Sequence, residues 1–403
     1  MITDENLGAR AGNRFQRYID YAAIVINNYN STEPFHLYLK KYFAANKKHG
    51  SHDRKIITAL CYGYFRLGSG VFGELPIQEK FILGFFLSQN QHSPFLELMK
   101  PGWNSKIQFS VSEKLTEIKS IFDSQNIFPF QEELTNQIDN QLFNLSFLKQ
   151  PKLFIRIRPG QHQKVLDKLT SAGIFFEKIN KDCLAFDNTK KISEIIKIDE
   201  EAVIQDFNSQ QVVTFFAPVH TSKKEPINLW DCCAASGGKS ILALDILKNV
   251  RLTVSDTRKN ILKNLRIRFA KAGIAGYHYF IANVAEDKFP SSIDNKTFDC
   301  IIADVPCSGS GTWARTPEQM CFFPKAKIDE YVGLQRKIVE NAIMHLKVEG
   351  YLLYVTCSVF KNENEENVEF IEKKLNMEKI DSRYLKGYEM QADTLFAALF
   401  RRK

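Results

Sequence analysis

Apolar positions recur at helical spacing through the first third of the chain. Tyr18, Ile19, Ala22, Ala23, Val25 and Ile26 form one stripe. Ile56, Ile57, Leu60, Cys61 and Phe65 form a second, with Asp53 placed to cap its helix. The period changes to two at LFIRIRP, residues 153–159, which reads as a strand. GQHQKVLDKLTSAGI follows as a helix and FFEKI, residues 175–179, as a second strand. Further on, Asp206 or Ser209 is suited to cap a short helix. From Pro226 the pattern becomes a repeat of apolar runs and amphipathic stretches. INLWDC, RLTVSD, HYFIANV, FDCIIADV and GYLLYVTC read as buried strands, and the apolar TLFAALF comes near the end. Strands alternating with helices predict a mostly parallel sheet covered on both faces. The fold class is therefore α/β in the last part, preceded by a small α/β module and an all-α region. The boundaries are drawn at residues 1–145, 146–215 and 216–403.

Composition narrows the class. The 403 residues are 44% hydrophobic and 25% charged, which excludes a disordered or fibrous chain. No apolar run is long enough to span a membrane, and MITDENLGARAGNR holds no apolar core of a secretory signal. None of the eight cysteines forms a C-x-x-C pair, so no metal site is expected, and a reducing, cytoplasmic setting is. The net charge of +8 is spread along the chain and supports nucleic-acid binding only weakly. One cluster is more pointed: Arg258, Lys259, Lys263, Arg266, Arg268 and Lys271 follow one another without an acid among them. It suits phosphate contact, or simply a solvated helix face.

In open α/β sheets, ligands bind beyond the carboxyl ends of the strands. Polar residues stand at five such ends in succession: Asp231-Cys232-Cys233, Asp256, Asn283, Asp304 and Thr356-Cys357. Turn chemistry explains one or two of these, and a polar small-molecule ligand explains all five. The first turn, DCCAASGGKS, ends like a phosphate-binding loop, but Cys233 stands where that loop needs its first glycine. A dinucleotide fingerprint is also absent. Gly237 and Gly238 would let the backbone approach a ligand, and Asp256 would accept from ribose hydroxyls. That layout predicts an S-adenosylmethionine site.

Two cysteines extend the picture. Cys307, in ADVPCSGSG, and Cys357, in VTCSVFKNENEEN, follow the fourth and fifth strands. Neighbouring strands lie about 4.8 Å apart, so the two thiols can converge on one substrate. A thiolate beside a methyl donor suits methylation at pyrimidine C5, a carbon that becomes nucleophilic only after a thiolate has added at C6. The competing reading is that both are inert packing residues, which is the expectation for Cys61, Cys183, Cys300 and Cys321.

Taken together, DCCAASGGKS, the VSD ending in Asp256, ADVPCSGSGTWARTPE and YVTCSVFKNENEEN resemble the Sun-type RNA cytosine-5 methyltransferases, in particular the ribosomal RNA small subunit methyltransferase B type. QDFNSQ, residues 205–210, is similar to the family's lead-in, and HDRKIITALCYGYFR, residues 52–66, to its NusB-like helical RNA-binding domain. The resemblance implies a Rossmann-like class I methyltransferase domain preceded by a small RRM-like linking module and the NusB-like domain. It implies S-adenosylmethionine held by Cys233, Ala234, Ala235, Ser236, Gly237, Gly238, Lys239, Asp256, Asn283 and Asp304. Cys357 would be the nucleophile, Cys307 would remove the C5 proton and release product, and Lys239 and Asp304 would orient the base. The implied partner is RNA, with ribosomal RNA ahead of transfer RNA, and the protein would act as a monomer away from membranes. Ser236 replaces the usual proline, which should loosen the turn, and Asn283 replaces an aspartate and loses its charge. Two other readings remain: a DNA cytosine-5 methyltransferase using Cys307 as nucleophile, and a non-catalytic RNA-binding assembly factor.

Overall fold

The computed structural model describes residues 4–187, 191–221, 225–247, 249–286, 289, 293 and 296–403. The first three residues of the stretch read as lacking a secretory signal lie outside them. The described chain forms two compact units. One holds the residues up to Glu132 together with Asp139–Gln150 and Trp313–Phe323, and the other holds Glu133–Ile138, Pro151–Thr312 and Pro324–Lys403. No helix among the described residues is long and apolar enough to cross a membrane.

The first unit is helical, as the 3.6-residue pattern predicts. Its principal helices are Asp4–Asn28, Phe35–Ala45, Ser51–Arg66 and Ile77–Ser88. The expected cap of the third is corrected: Gly50 is the N-cap, and Asp53 sits one turn in, accepting from the Gly50 amide at 3.0 Å. Asp53 also accepts from the Tyr18 hydroxyl at 2.5 Å, joining the first helix to the third. Helices Ser51–Arg66 and Ile77–Ser88 meet backbone to backbone. A Cβ added to Gly84 would lie 2.3 Å from the Gly63 carbonyl, and one added to Gly63 would lie 2.7 Å from the Gly84 carbonyl carbon. Aromatic rings fill the remaining core. Phe35 and Phe65 stand 5.0 Å apart edge to face, Phe322 meets Tyr29 at 5.3 Å, and Trp313 packs on Phe128 at 5.7 Å. The buried Arg66 guanidinium donates to the Phe147 and Lys149 carbonyls, so its donors are satisfied without a carboxylate partner.

The second unit carries two sheets. Strands β1 (Leu153–Ile157), β2 (Glu177–Lys178), β3 (Cys183–Phe186) and β4 (Ala202–Ile204) form an antiparallel sheet in the order β2-β3-β1-β4. The helix His162–Ser171 buries Val165 and Leu169 against it. The second expected strand is shorter than FFEKI, because Phe175 is 83% exposed and pairs with nothing in the ladder.

The larger sheet comprises β5 (Ile227–Asp231), β6 (Val250–Asp256), β7 (His278–Ile281), β8 (Phe298–Asp304), β9 (Leu346–Thr356), β10 (Met377–Leu385) and β11 (Leu395–Arg402), in the order β10-β11-β9-β8-β5-β6-β7. The strands from β9 to β7 in that order are parallel, while β11 runs antiparallel to both β9 and β10. After β7 the chain crosses back to β8 on the other side of β5, which puts the topological switch between β5 and β8. Those two strands are almost entirely buried, as continuous apolar runs covered on both faces must be. Arg156 and Arg158 on and just after β1 reach Asp245 of the helix Gly238–Ile246, at 2.6 and 2.8 Å. All three side chains are largely buried, so this pairing holds the small sheet beside the helix that opens the switch.

Candidate active site

The turn after β5 is shaped by local backbone geometry. Ala235 and Gly237 have φ of 45° and 81°, and the Gly237 amide donates back to the Ala234 carbonyl at 2.7 Å. The helix Gly238–Ile246 starts directly afterwards, with its first amides at the switch. Gly237 is required by packing rather than by close ligand approach: a Cβ there would lie 2.5 Å from the Phe269 ring, while the space at Gly238 is open. The expected loosening at Ser236 is also corrected. Arg268 donates to both its carbonyl and its hydroxyl at 2.9 Å and is itself paired with Asp199, so the serine fastens the turn from outside.

Three carboxylates converge on this turn from neighbouring strands. Asp231 ends β5, accepts from Ser240 Oγ at 2.6 Å, and is pushed up to about 7 by burial. Its Oδ1 has no hydrogen-bond partner among the described residues. Asp256 ends β6. Burial works against its charge, but Arg258 and the Ala235 amide outweigh that and hold its carboxyl below the ordinary range. Arg258 contacts both of its oxygens, at 2.9 and 3.0 Å, so hydroxyls reaching Asp256 meet a carboxylate already charged and fixed. Asp304 ends β8 and pairs with Lys239 at 2.7 Å. Desolvation disfavours the Lys239 ammonium, yet Asp304 beside it raises its pKa overall. Asn283 lies two residues past β7 and makes a turn, with its amide 2.8 Å from Glu286 and its carbonyl accepting from Ala285.

Cys307 and Cys357 stand on the loops after the adjacent strands β8 and β9. Their sulfurs are 3.2 Å apart, and the Cys357 amide donates to Cys307 Sγ at 3.3 Å. Both are half-buried, unlike Cys61, Cys183 and Cys300, which are fully buried. Cys321, expected to be buried, is exposed instead, on a segment of the helical unit. The thiols differ in surroundings. Lys239 lies close enough to Cys357 to be influenced by its charge, whereas Cys307 faces Glu363. The hydrogen bond shared with Cys357, then burial, push the Cys307 thiol well above the usual range. Negative charge is therefore disfavoured on Cys307.

The site thus gathers Cys233–Lys239, Asp256, Asp304, Cys307 and Cys357 at one end of the sheet. The sequence reading missed the polar layer beneath the thiols. Ser308, Ser310 and Ser358 hydroxyls lie 3.1–3.2 Å apart, and the Ser308 hydroxyl donates to Glu363 at 2.5 Å. Glu363 sits in a run, KNENEEN, whose composition reads as solvated surface, yet it is fully buried.

A parallel sheet with a reversed strand near one edge, a glycine turn after its first strand and acids at the next ends define a Rossmann-like methyltransferase domain whose cofactor is S-adenosylmethionine. The residues present fit that group: the charged, fixed carboxylate of Asp256 suits ribose hydroxyls, and the first amides of the helix Gly238–Ile246 lie at the switch beside it. Residues 218–396 match the model of the 16S rRNA methyltransferase RsmB/F family. Ribosomal RNA small subunit methyltransferase B of Citrobacter koseri is 26% identical over 250 residues, covering 60% of this chain and 54% of that protein. The chain spans about half the length of the curated relatives it matches. Two solved structures share the fold. A methyltransferase homolog protein from Pyrococcus horikoshii gives a TM-score of 0.53 at 19% identity, covering 72% of this chain and 98% of that one. NSun6 from Pyrococcus horikoshii with SFG gives 0.57 at 14% identity, covering 69% and 96%.

The position of Asp256 makes one outcome testable at once. Asp256→Ala should weaken S-adenosylmethionine binding about tenfold, the loss of one or two charge-assisted hydrogen bonds. Calorimetric titration measures it, and unchanged affinity with an unchanged melting curve would remove Asp256 from the cofactor site.

Proposed function

We propose that the chain transfers a methyl group from S-adenosylmethionine to C5 of a cytosine in RNA, with 16S ribosomal RNA as the substrate. The observation that carries this reading is the pair of half-buried thiols 3.2 Å apart beside the Lys239–Asp304 ion pair. A single-thiol enzyme has no use for the second sulfur, and an inert pair has no reason to stay half-exposed at the switch.

The cofactor supplies an electrophilic methyl group and leaves as a neutral thioether. Cys233, Ala234, Ala235, Ser236, Gly237, Gly238 and Lys239 would line it, with Asp256 at the ribose and Asn283 toward the adenine. Cys357 Sγ forms a bond to C6, and the C5–C6 π electrons move toward C5, with Asp304 and Lys239 orienting the ring. After C5 has gained the methyl group, Cys307 takes the C5 proton. The electron pair left behind restores the C5–C6 double bond and expels Cys357 as thiolate, so the protein is regenerated. The helical unit, similar to NusB-like domains, would supply RNA affinity.

Bisulfite sequencing of total RNA from cells with and without the gene tests the proposal. The expected result is a ribosomal cytosine protected from conversion only when the gene is present. Protection confined to transfer RNA would change the substrate, and identical profiles would sink the reading.

A further inference from the structure

We infer that Glu363 is a positioning residue for the second thiol: its buried carboxylate clamps the Cys307 loop and keeps the proton on Cys307 until Cys357 has bonded to the base. The inference rests on the two-thiol reading above.

The clamp is visible on both sides of Cys307. Glu363 Oε1 accepts from the Ser308 amide at 2.8 Å, and Oε2 accepts from the Ser308 hydroxyl. Gln335, on the helix Lys327–Ile343, donates to Glu363 Oε1 at 3.0 Å and to the Pro306 carbonyl at 2.9 Å. The residues before and after Cys307 are therefore tied to one buried Glu–Gln pair. That pair is itself fixed. Asn367 donates to Gln335 Oε1 at 2.7 Å, and the Tyr354 hydroxyl donates to the Glu363 carbonyl at 2.7 Å. Glu363 and Gln335 are both fully buried. No basic side chain forms an ion pair with Glu363 among the described residues. A neutral glutamine amide would meet the same geometric need as an uncompensated carboxylate, so the charge calls for a reason of its own.

That reason is the field at Cys307. The groups facing this thiol are Cys357 across the site, Glu363 beneath it, Tyr331 of the helix Lys327–Ile343, and Tyr354 of β9. Glu363 opposes a second negative charge nearby. Lys239 lies toward Cys357. The proton is thus held on Cys307. Once Cys357 is bonded to carbon it carries no charge. Cys307 can then release its proton to water and, as thiolate, take the C5 proton.

The test uses the full chain in the Cys357→Ala background and iodoacetamide as probe, with alkylation at Cys307 read by peptide mass spectrometry across pH. Glu363→Gln should lower the pH of half-maximal reactivity by about one unit, so that alkylation near pH 8 is up to tenfold faster. An unmoved half-point in a variant with the parent's melting temperature would overturn the inference. A structural clamp alone changes the rate equally at every pH and leaves the half-point in place. If the glutamine variant is unfolded, Glu363→Asp carries the test: the half-point should stay at the parent's value, and a one-unit fall would refute the role of the charge. These assays need no RNA. A moved half-point with no RNA adduct in any variant would refute the two-thiol reaction and leave the Glu363–Cys307 coupling standing. An adduct with an unmoved half-point would do the reverse.

Discussion

Cys357→Ala should give neither methylated RNA nor a covalent protein–RNA complex, while Cys307→Ala should accumulate that complex. The two sulfurs are 3.2 Å apart, so either can reach a base placed beside them, and proximity alone does not divide their roles. Their surroundings do: the hydrogen bond with Cys357, burial and Glu363 disfavour a thiolate at Cys307. Without Cys357 no bond to C6 forms, C5 stays unreactive, and product should fall below detection. Without Cys307 the first bond still forms and the methyl group can still arrive. The C5 proton then has no base, and the C6–sulfur bond persists because its electrons can leave only when that proton does. Such a complex survives denaturing electrophoresis, so one gel of the wild type and both variants, incubated with cofactor and RNA, decides the matter. An adduct in Cys357→Ala but not in Cys307→Ala would invert the roles, as a DNA-type cytosine-5 enzyme requires. No adduct in any lane would favour a binding protein without catalysis.

The largest expected effect on stability lies far from the thiols. Gly84→Ala should destabilise the helical unit by about 3 kcal/mol, at the upper end for overpacking. On an isolated helix the substitution would stabilise by about 0.8–1.0 kcal/mol, because alanine is the better helix former. Packing decides the sign. The new methyl would lie 2.3 Å from the Gly63 carbonyl and 2.8 Å from the Tyr64 nitrogen, which are backbone atoms with no rotamer to change. The helices must separate, and Phe81, Ile82 and Phe86 then lose contacts in a core already filled. Gly333→Ala is the control: it lies within the helix Lys327–Ile343 with open space around it and should stabilise slightly. Denaturant unfolding of both variants tests the argument, and a wild-type midpoint for Gly84→Ala would refute it.

The strand ends were legible in the sequence because a parallel sheet makes them so. Its buried strands are mostly apolar, and each ends on a polar residue, as at Asp231, Asp256, Asp304 and Thr356. The strand β10 was not legible. MEKIDSRYL lies at the sheet edge, where its charged side chains remain in water and blunt the edge, and it has neither a clean alternation nor an apolar run. The convergence of the thiols followed from strand adjacency, but their inequality did not. It depends on Glu363, which lies 56 positions beyond Cys307 in sequence (363 − 307). Glu363 itself was hidden by its neighbours, since the six other polar residues of KNENEEN make the run look like a solvated turn. Ser236 misled for a similar reason: its partner Arg268 is 32 positions away.

The course of the chain through its two units bears on how such a protein can arise and diversify. The segment Trp313–Phe323 belongs with the helices, although Thr312 before it and Pro324 after it belong with the sheets. Trp313 packs on Phe128, and Phe322 packs on Tyr29 and Phe65. Recombination at a single breakpoint near residue 150 would therefore exchange neither unit whole. A new helical partner would inherit a gap where these rings belong, and the recipient half would carry them uncovered. The helical part and the segment Trp313–Phe323 are expected to have descended as one heritable block, with variation in Phe128 or Tyr29 tracked by variation between 313 and 323.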